Sequence, residues 1–239
     1  MNRALTQSER QWLEYFRDLG FVDLYLPAAA GTRGEEPVIE APEPRVASGV
    51  PGSLSEKLAA VAAEAAQCTA CKLSDGRQHV VFGSGNPSAD LMFIGEGPGA
   101  EEDRQGLPFV GPAGALLTRI IKAIDLERDQ VYIANIVKCR PPGNRNPEPD
   151  EVAACSGYLK RQIDLIQPRV IVALGRVAAQ TLLGRKAPLG RMRGEWYDVC
   201  GIPTRVTYHP AALLRNATYK RPTWEDMQAV RDRLAEESS

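Results

Sequence analysis

The sequence contains no long apolar run. Its opening residues, MNRALTQSERQWLEYF, lack the apolar core of roughly 7 to 15 residues that secretory signal peptides have. No later stretch approaches the roughly 18 consecutive apolar residues of a transmembrane helix. We therefore expect a cytoplasmic protein that does not contact a membrane. Its 239 residues, 44% of them hydrophobic, suffice for one large core and a small accessory element.

Signatures of nucleotide cofactors are also missing. The chain has neither a GxGxxG fingerprint nor a Walker lysine, so a nucleotide-cofactor enzyme is disfavoured. Histidine is scarce, with only His79 and His209 present. Nothing chemically reactive surrounds His79 in the sequence, and we expect it to be a surface or packing residue.

Cysteine is present in an arrangement that suggests a metal centre. Cys68 and Cys71 form a CTAC motif, and Cys139 and Cys155 follow at long spacings. Without a secreted context, four thiols indicate a metal ion or an iron–sulfur cluster more than a disulfide framework. Four thiolates considered alone favour tetrahedral zinc. Cys200 matches no ligand spacing, and we expect a buried or free thiol there.

The formal net charge of −1 is unevenly distributed. Residues 185–221 hold eight lysines and arginines against two acidic residues. This stretch could contact a phosphate backbone, or it could form a solvated basic surface.

The chain divides into two parts by composition. Thr6 and Glu9 resemble a capping box at the start of a short amphipathic helix. Proline, alanine, glycine and glutamate then dominate up to about residue 52, a composition that favours a flexible, disordered linker. We therefore predict an N-terminal helix plus linker over residues 1–52 and a folded domain, large enough to be an enzyme, over residues 53–239.

Residues 53–239 alternate between short apolar strands and amphipathic helices. We predict strands at 90–94, 131–135, 169–174, 196–199 and 205–208, and helices at 53–67, 112–124, 148–166, 176–183 and 223–236. This alternation predicts an α/β fold, a three-layer sandwich with a central, mainly parallel four-stranded sheet flanked by helices.

Three predicted loops follow strands and carry polar residues. Glu96 lies among glycines in Gly95–Gly99, Asn135 opens a proline-rich loop, and His209 follows the strand at 205–208. Loops at the carboxyl ends of parallel strands commonly form binding sites. A plain glycine turn, a strand-end cap and a packing histidine are the structural alternatives for these three residues.

Four motifs in order carry a family resemblance. GEGPG at 95–99, PFVG at 108–111, NIVKCRPPGNR at 135–145 and YHPAALLR at 208–215 have the four cysteines interleaved. Over about residues 57–235 this pattern closely resembles the family 4 uracil-DNA glycosylases. The resemblance implies their fold, a [4Fe-4S] cluster, and excision of uracil without strand cleavage. A related covalent branch has Gln at the position of Gly97 and an extra basic, histidine-containing loop. Both features are absent, so we expect no covalent intermediate.

The resemblance also implies roles for individual residues. Cleavage of an N-glycosidic bond puts positive charge on the sugar and negative charge on the departing base, and a carboxylate and a donor would stabilise these charges. The implied residues are Glu96 and His209 for catalysis; Gly95, Gly97, Phe109 and Asn135 for substrate binding; Leu213, Leu214 and Arg215 for DNA contact; and Cys68, Cys71, Cys139 and Cys155 as cluster ligands.

The expected partner is uracil-containing DNA, either single- or double-stranded, bound by a monomer. A protein partner for residues 1–52 is a further possibility. An iron–sulfur or zinc module that binds DNA or senses redox state on the same fold, without glycosylase activity, is the alternative function. Replacement of Glu96 and His209 would favour that alternative, and both are present.

Overall fold

The structure is a computed structural model that describes residues 53–236. Within that range no helix combines the length and apolar character needed to cross a bilayer. The helix and linker predicted for residues 1–52 lie outside the described residues.

A single six-stranded sheet organises the described part of the chain. Its strands are β1 (Ser84–Gly85), β2 (Leu91–Gly95), β3 (Tyr132–Asn135), β4 (Val170–Leu174), β5 (Trp196–Val199) and β6 (Ile202–Thr207). They lie side by side in the order β1-β3-β2-β4-β6-β5. The inner four are parallel, and β1 and β5 pair antiparallel at the two edges. The predicted four parallel strands are thus present, and the sheet is wider than predicted: the predicted strand β5 pairs antiparallel at one edge, and β1, which was not predicted, does so at the other.

Eight helices are described between residues 53 and 236. They are α1 (Leu54–Ala66), α2 (Ala100–Gln105), α3 (Pro112–Lys122), α4 (Pro149–Ile166), α5 (Arg176–Leu183), α6 (Leu189–Met192), α7 (Pro210–Arg215) and α8 (Lys220–Glu236). Short 3₁₀ turns occur at Lys72–Ser74, Pro142–Asn144 and Ala217–Tyr219.

Two apolar cores cover the two faces of the sheet. Side chains along β2 alternate, so Met92 and Ile94 enter one core while Leu91 and Phe93 enter the other. Helices α1, α4 and α5 contribute to the first core, and α3 and α8 to the second. Because every β2 residue is buried, this strand reads as a continuous apolar run. The predicted three-layer α/β sandwich is confirmed.

Helix starts follow the sequence signals. A capping box begins α1, because Ser53 Oγ accepts from the Glu56 amide at 3.3 Å and Glu56 Oε2 accepts from the Ser53 amide at 2.5 Å. Helix α4 begins with Pro149, whose fixed φ suits the first turn.

Two predicted loops contain helices instead. Residues 208–215 were expected to be a loop, but Pro210 begins α7 and His209 is its N-cap. The proline at the first helical position satisfies the geometry of a helix start. The loop after β2 likewise contains α2, which Gly106 ends in a left-handed conformation.

The polar loops meet at one edge of the sheet. Gly95 at the end of β2 pairs with Asn135 at the end of β3, and Leu174 at the end of β4 pairs with Thr207 at the end of β6. Since these strands are parallel, the residues that follow them share the carboxyl edge.

Candidate active site and cysteine cavity

A cavity of about 390 Å³ opens at this edge. Its size falls within the range of small-molecule sites. Six of the predicted site residues line it: Glu96, Gly97, Phe109, Asn135, His209 and Arg215. The structure therefore brings together residues that are more than 100 positions apart in the sequence.

Phe109 has a constrained backbone. Its φ of 52° lies in the left-handed region, which costs a non-glycine residue roughly 1–2 kcal/mol. Glu102 Oε1 accepts from the amides of Val110 and Gly111, each at 3.0 Å, and Arg128 Nη2 donates to the Pro108 carbonyl at 2.5 Å. These contacts fix the ring, which is 6% exposed, in the cavity wall.

Asn135 presents an acceptor without a partner. The residue is buried, and its Oδ1 has no hydrogen-bond partner among the described residues. A Cβ at Gly95 would lie 2.4 Å from this oxygen and 2.7 Å from Phe109 Cζ. Glycine at position 95 is therefore what lets the amide and the ring approach the end of β2. Because buried polar atoms are normally paired, this oxygen is a candidate ligand contact.

His209 is held as a neutral donor. Its Nδ1 accepts from the Ala211 amide at 3.1 Å, so the proton of the neutral ring is on Nε2. Burial and, to a smaller extent, the charge of Arg215 together lower the pKa of His209 to about 4, and Glu102 opposes the shift. The ring lies 5.5 Å from that of Phe109, centroid to centroid. At neutral pH, His209 can therefore donate from Nε2 without carrying a charge.

Glu96 is partly desolvated. Burial raises the pKa of this carboxyl, and the positive charge of Arg176 lowers it. Gly97 follows in a confined position, since a Cβ there would lie 2.8 Å from Val137 Cγ2. A side chain larger than hydrogen at position 97 would require Val137 to move.

The two candidate DNA-wedge leucines differ in exposure. Leu213 is buried, whereas Leu214 is 51% exposed and lies beside the exposed Arg215. Helical periodicity separates the two side chains, because neighbouring positions on a helix face different directions. Of the two leucines, Leu214 is therefore the one whose side chain is accessible from outside the protein.

The basic stretch 185–221 is not a uniform phosphate-binding surface. Arg193 Nε donates to Asp226 Oδ2 at 2.8 Å, and Arg205 Nε donates to Asp226 Oδ1 at 3.3 Å. Burial raises the pKa of Asp226, against the effects of Thr207 and the two arginines. Arg193 also lies 4.7 Å from the ring centroid of Tyr208. These two arginines are internal ion-pair partners, and a sum of charges along the sequence could not reveal that.

The four predicted cysteine ligands border a second cavity. Cys68 and Cys71 follow α1, Cys139 follows β3, and Cys155 lies on α4, all as free thiols. Cys200 is exposed and does not line this cavity. Among residues 53–236, no group of three or more His, Cys, Asp and Glu side chains is placed to hold a metal ion. As a donor set, four thiols around one cavity fit either tetrahedral zinc or an iron–sulfur cluster.

Donors reach the thiols from the surrounding structure. Arg77 Nη1 donates to Cys139 Sγ at 3.5 Å and to the Cys68 carbonyl at 2.6 Å. The Lys138 amide donates to Cys155 Sγ at 3.3 Å. Burial raises the pKa of Cys139 and of Cys155, and Arg77 and Lys138 respectively oppose it. These donors suit thiolates that carry negative charge, as metal ligands do.

Lys138 connects the cysteine cavity to the end of β3. Its Nζ donates to the Asn135 carbonyl at 2.9 Å and to Gln162 Oε1 at 2.5 Å. Gln162 Nε2 lies 3.1 Å from the Tyr132 hydroxyl. Burial lowers the pKa of Lys138 to about 7. The sequence analysis did not identify this buried lysine, because its position beside Cys139 does not reveal that its side chain points into the protein interior.

Glu102, Asn146 and Arg176 were missed as well. Glu102 and Asn146 line the active-site cavity, and Arg176 lies two residues beyond the end of β4. The one available signal was position, since Arg176 follows a strand at the same carboxyl edge as the predicted residues.

Comparison with known proteins agrees with this geometry. A model of the Uracil DNA glycosylase superfamily matches residues 82–228. The type-4 uracil-DNA glycosylase of Sulfurisphaera tokodaii is 46% identical over 186 residues, covering 74% of this chain and 84% of that protein. Its namesake from Thermotoga maritima is 45% identical over 175 residues, covering 72% and 91%.

The type-5 branch is more distant. A type-5 uracil-DNA glycosylase of Pyrobaculum aerophilum is 33% identical over 169 residues, covering 63% of this chain and 73% of that protein. The family model matches more than half of the chain, and the type-4 proteins match it with higher identity and coverage than the type-5 protein does. This chain therefore belongs to the type-4 branch of the uracil-DNA glycosylase superfamily.

Proposed function

We propose that this protein hydrolyses the N-glycosidic bond of deoxyuridine in DNA, releasing uracil and leaving an abasic site for base excision repair. The observation that carries the proposal is the unpartnered, buried Oδ1 of Asn135 beside Phe109 in a cavity that also holds Glu96 and His209. The cavity thus offers an amide that can hydrogen-bond to the edge of a base and a ring on which the base can stack. It also holds two groups that can stabilise the charges that develop as the glycosidic bond breaks.

Base recognition follows from the chemistry of the Asn135 amide. Its oxygen accepts from uracil N3–H and its nitrogen donates to O4. Phe109 supplies a stacking face worth about 1–3 kcal/mol, which offsets part of the cost of extruding the base. Cytosine presents the reversed donor and acceptor pattern on the same edge.

Bond cleavage uses Glu96 and His209. As the bond lengthens, the Glu96 carboxylate stabilises positive charge on the sugar and orients the attacking water. His209 Nε2–H donates to uracil O2, where negative charge accumulates. Because the ring is neutral at pH 7, the buried site does not bear the free-energy cost of desolvating a positive charge before the reaction begins.

Strand cleavage is not part of the reaction. Among the described residues that line the cavity none is a lysine, so these residues offer no lysine amine to form a Schiff base with the abasic sugar. Glycine at position 97 likewise leaves no side chain that could be alkylated there. The reaction ends at the abasic site.

DNA contact is assigned to the exposed end of α7. Leu214 enters the stack vacated by the flipped nucleotide, and Arg215 holds an adjacent phosphate. Residues 1–52 are not required for these contacts.

A [4Fe-4S] cluster is the proposed resident group of the cysteine cavity. Cys68, Cys71, Cys139 and Cys155 would hold it, and donors already point to two of these thiols. When bound, the cluster supplies a structural cross-link between the end of α1, the loop after β3 and α4. Zinc is the competing occupant, and metal analysis separates the two.

The test is an excision assay on oligonucleotides that carry one uracil, in single- and double-stranded form. We expect release of free uracil, with strand breakage only after alkaline treatment. Parallel substrates with hypoxanthine or xanthine define the lesion range. Absence of uracil release from metal-replete protein on both forms would contradict the proposal.

A further inference from the structure

The Glu96 carboxylate is joined to a distant arginine through one amide. With its nitrogen facing Glu96, the Asn146 side chain donates to Glu96 Oε1 at 3.0 Å, and its oxygen accepts from Arg176 Nη2 at 3.3 Å. The opposite orientation would set oxygen against carboxylate and NH₂ against guanidinium. Hydrogen bonding therefore assigns the orientation of this amide.

This bridge crosses the carboxyl edge of the sheet. Glu96 follows β2, and Arg176 begins α5 after the neighbouring strand β4. Asn146 lies in the proline-rich loop between β3 and α4. The bridge thus joins three separate segments of the chain, so the direction of the Glu96 carboxylate depends on tertiary contacts as well as on the Gly95–Gly99 turn.

The other charged groups of the cavity have different contacts. Glu102 accepts from backbone amides, and Arg145 is paired with Glu151 at 2.6 Å. The charge of Arg215 lowers the pKa of His209, and the charge of Glu102 raises it. Arg176 is the cation whose charge lowers the pKa of Glu96, against the effect of burial.

The amide spacer has a chemical consequence. A direct ion pair would hold Glu96 ionised but would also neutralise the negative charge that must stabilise the sugar cation. An intervening amide transmits orientation and part of the positive potential, while the carboxylate stays free to interact with the sugar.

We propose that Arg176 and Asn146 are positioning residues that hold Glu96 in its reactive direction and ionisation state. The proposal rests on the proposed function, because it assumes that Glu96 acts as a carboxylate in excision. Both residues act through Glu96: Arg176 is not among the described residues that line the cavity, and Asn146 lines it beside the carboxylate to which it donates.

The experiment measures single-turnover excision of uracil against pH for the full-length protein and for Arg176→Met, Arg176→Lys and Asn146→Ala. In Arg176→Met the acid limb of the rate profile is expected to move to higher pH, and Arg176→Lys is expected to restore it partly. Asn146→Ala is expected to lower the plateau rate by about 10- to 100-fold through loss of orientation, with little change in DNA affinity.

Arg140→Met is the matched control. Arg140 lies in the same loop, and its Nε donates to Asn144 Oδ1 at 2.8 Å, so this variant removes a nearby positive charge without touching the bridge. Its acid limb is expected to coincide with that of the wild type. If Arg176→Met also coincides, while its DNA binding weakens and loses salt dependence, Arg176 is a phosphate contact and the proposal is wrong.

Carboxyl NMR of DNA-free protein separates this inference from the proposed function. We expect the Glu96 carboxyl to titrate at higher pH in Arg176→Met than in the wild type, whether or not uracil is released. An unchanged Glu96 titration would overturn the inference, even if excision by the wild type is normal.

Discussion

At the scale of single residues, base selection depends on the Asn135 amide. Changing Asn135 to Asp removes the donor to uracil O4 and supplies an acceptor that suits the cytosine amino group. Uracil excision is expected to fall by roughly 10- to 100-fold, corresponding to loss of a buried pairing of about 1–3 kcal/mol. Single-turnover assays on uracil and cytosine substrates measure this. Full uracil activity in Asn135→Asp would make residue 135 a strand-end cap that does not read the base.

His209 makes stability depend on pH in a defined direction. Its pKa is about 4 in the folded chain and near 6.5 when unfolded, so between these values the unfolded chain binds more protons. Stability attributable to His209 is therefore present above about pH 6.5 and is lost as pH falls toward 4. At one pH unit below the pKa of the unfolded chain, the resulting loss of stability is at most about 1.4 kcal/mol.

Urea unfolding of the wild type and His209→Gln at pH 7.5 and 5.5 tests this sign. As pH falls from 7.5 to 5.5, the urea concentration at the midpoint of unfolding is expected to decrease more for the wild type than for the variant. Identical losses in the two proteins would show that His209 titrates normally.

At the scale of secondary-structure elements, the four cysteines that border one cavity come from separate parts of the chain, and the proposed cluster would connect them. Replacing any one of Cys68, Cys71, Cys139 and Cys155 with alanine is expected to abolish or destabilise the cluster. Cys200→Ala is the control and is expected to keep full iron and sulfide, because this exposed thiol lies outside the cavity. Stoichiometric zinc in anaerobically purified wild type would identify a different metal site.

Element type was predictable where apolar periodicity was strong. The strand predicted at 90–94 and the helix predicted at 53–67 both appear in the structure, as β2 and α1. Helix α7 was not foreseen, because its six residues are too short to show a period and the Tyr–His–Pro opening is typical of a turn.

At the scale of the whole molecule, the domain boundary at residues 52 and 53 stays a prediction. The capping box at Ser53 starts the first described helix, and the matched family region begins at residue 82. A chain beginning at Ser53 is expected to fold, retain iron and excise uracil at a rate close to that of the full chain. If it folds with iron yet loses excision, residues 1–52 belong to the active enzyme.

Sequence motifs predicted which residues meet in the cavity but not how they are supported. Glu96, Phe109, Asn135 and His209 were identifiable because each belongs to a motif. Their supporting partners are long-range contacts, such as Lys138 with Gln162, that folding creates and no local pattern records. Likewise, the inward orientation of Arg193 and Arg205 depends on Asp226, which lies outside the basic stretch.

The central claim is that Glu96 and His209 stabilise charge that develops only as the glycosidic bond breaks. Its most direct test is single-turnover uracil excision, paired with measurement of DNA affinity, for the wild type, Glu96→Gln and His209→Ala. Each variant is expected to lose about 100- to 1000-fold in rate, near 3–4 kcal/mol, while binding uracil-containing DNA almost as tightly as the wild type. Weakened binding with an unchanged rate of bond cleavage would contradict the claim.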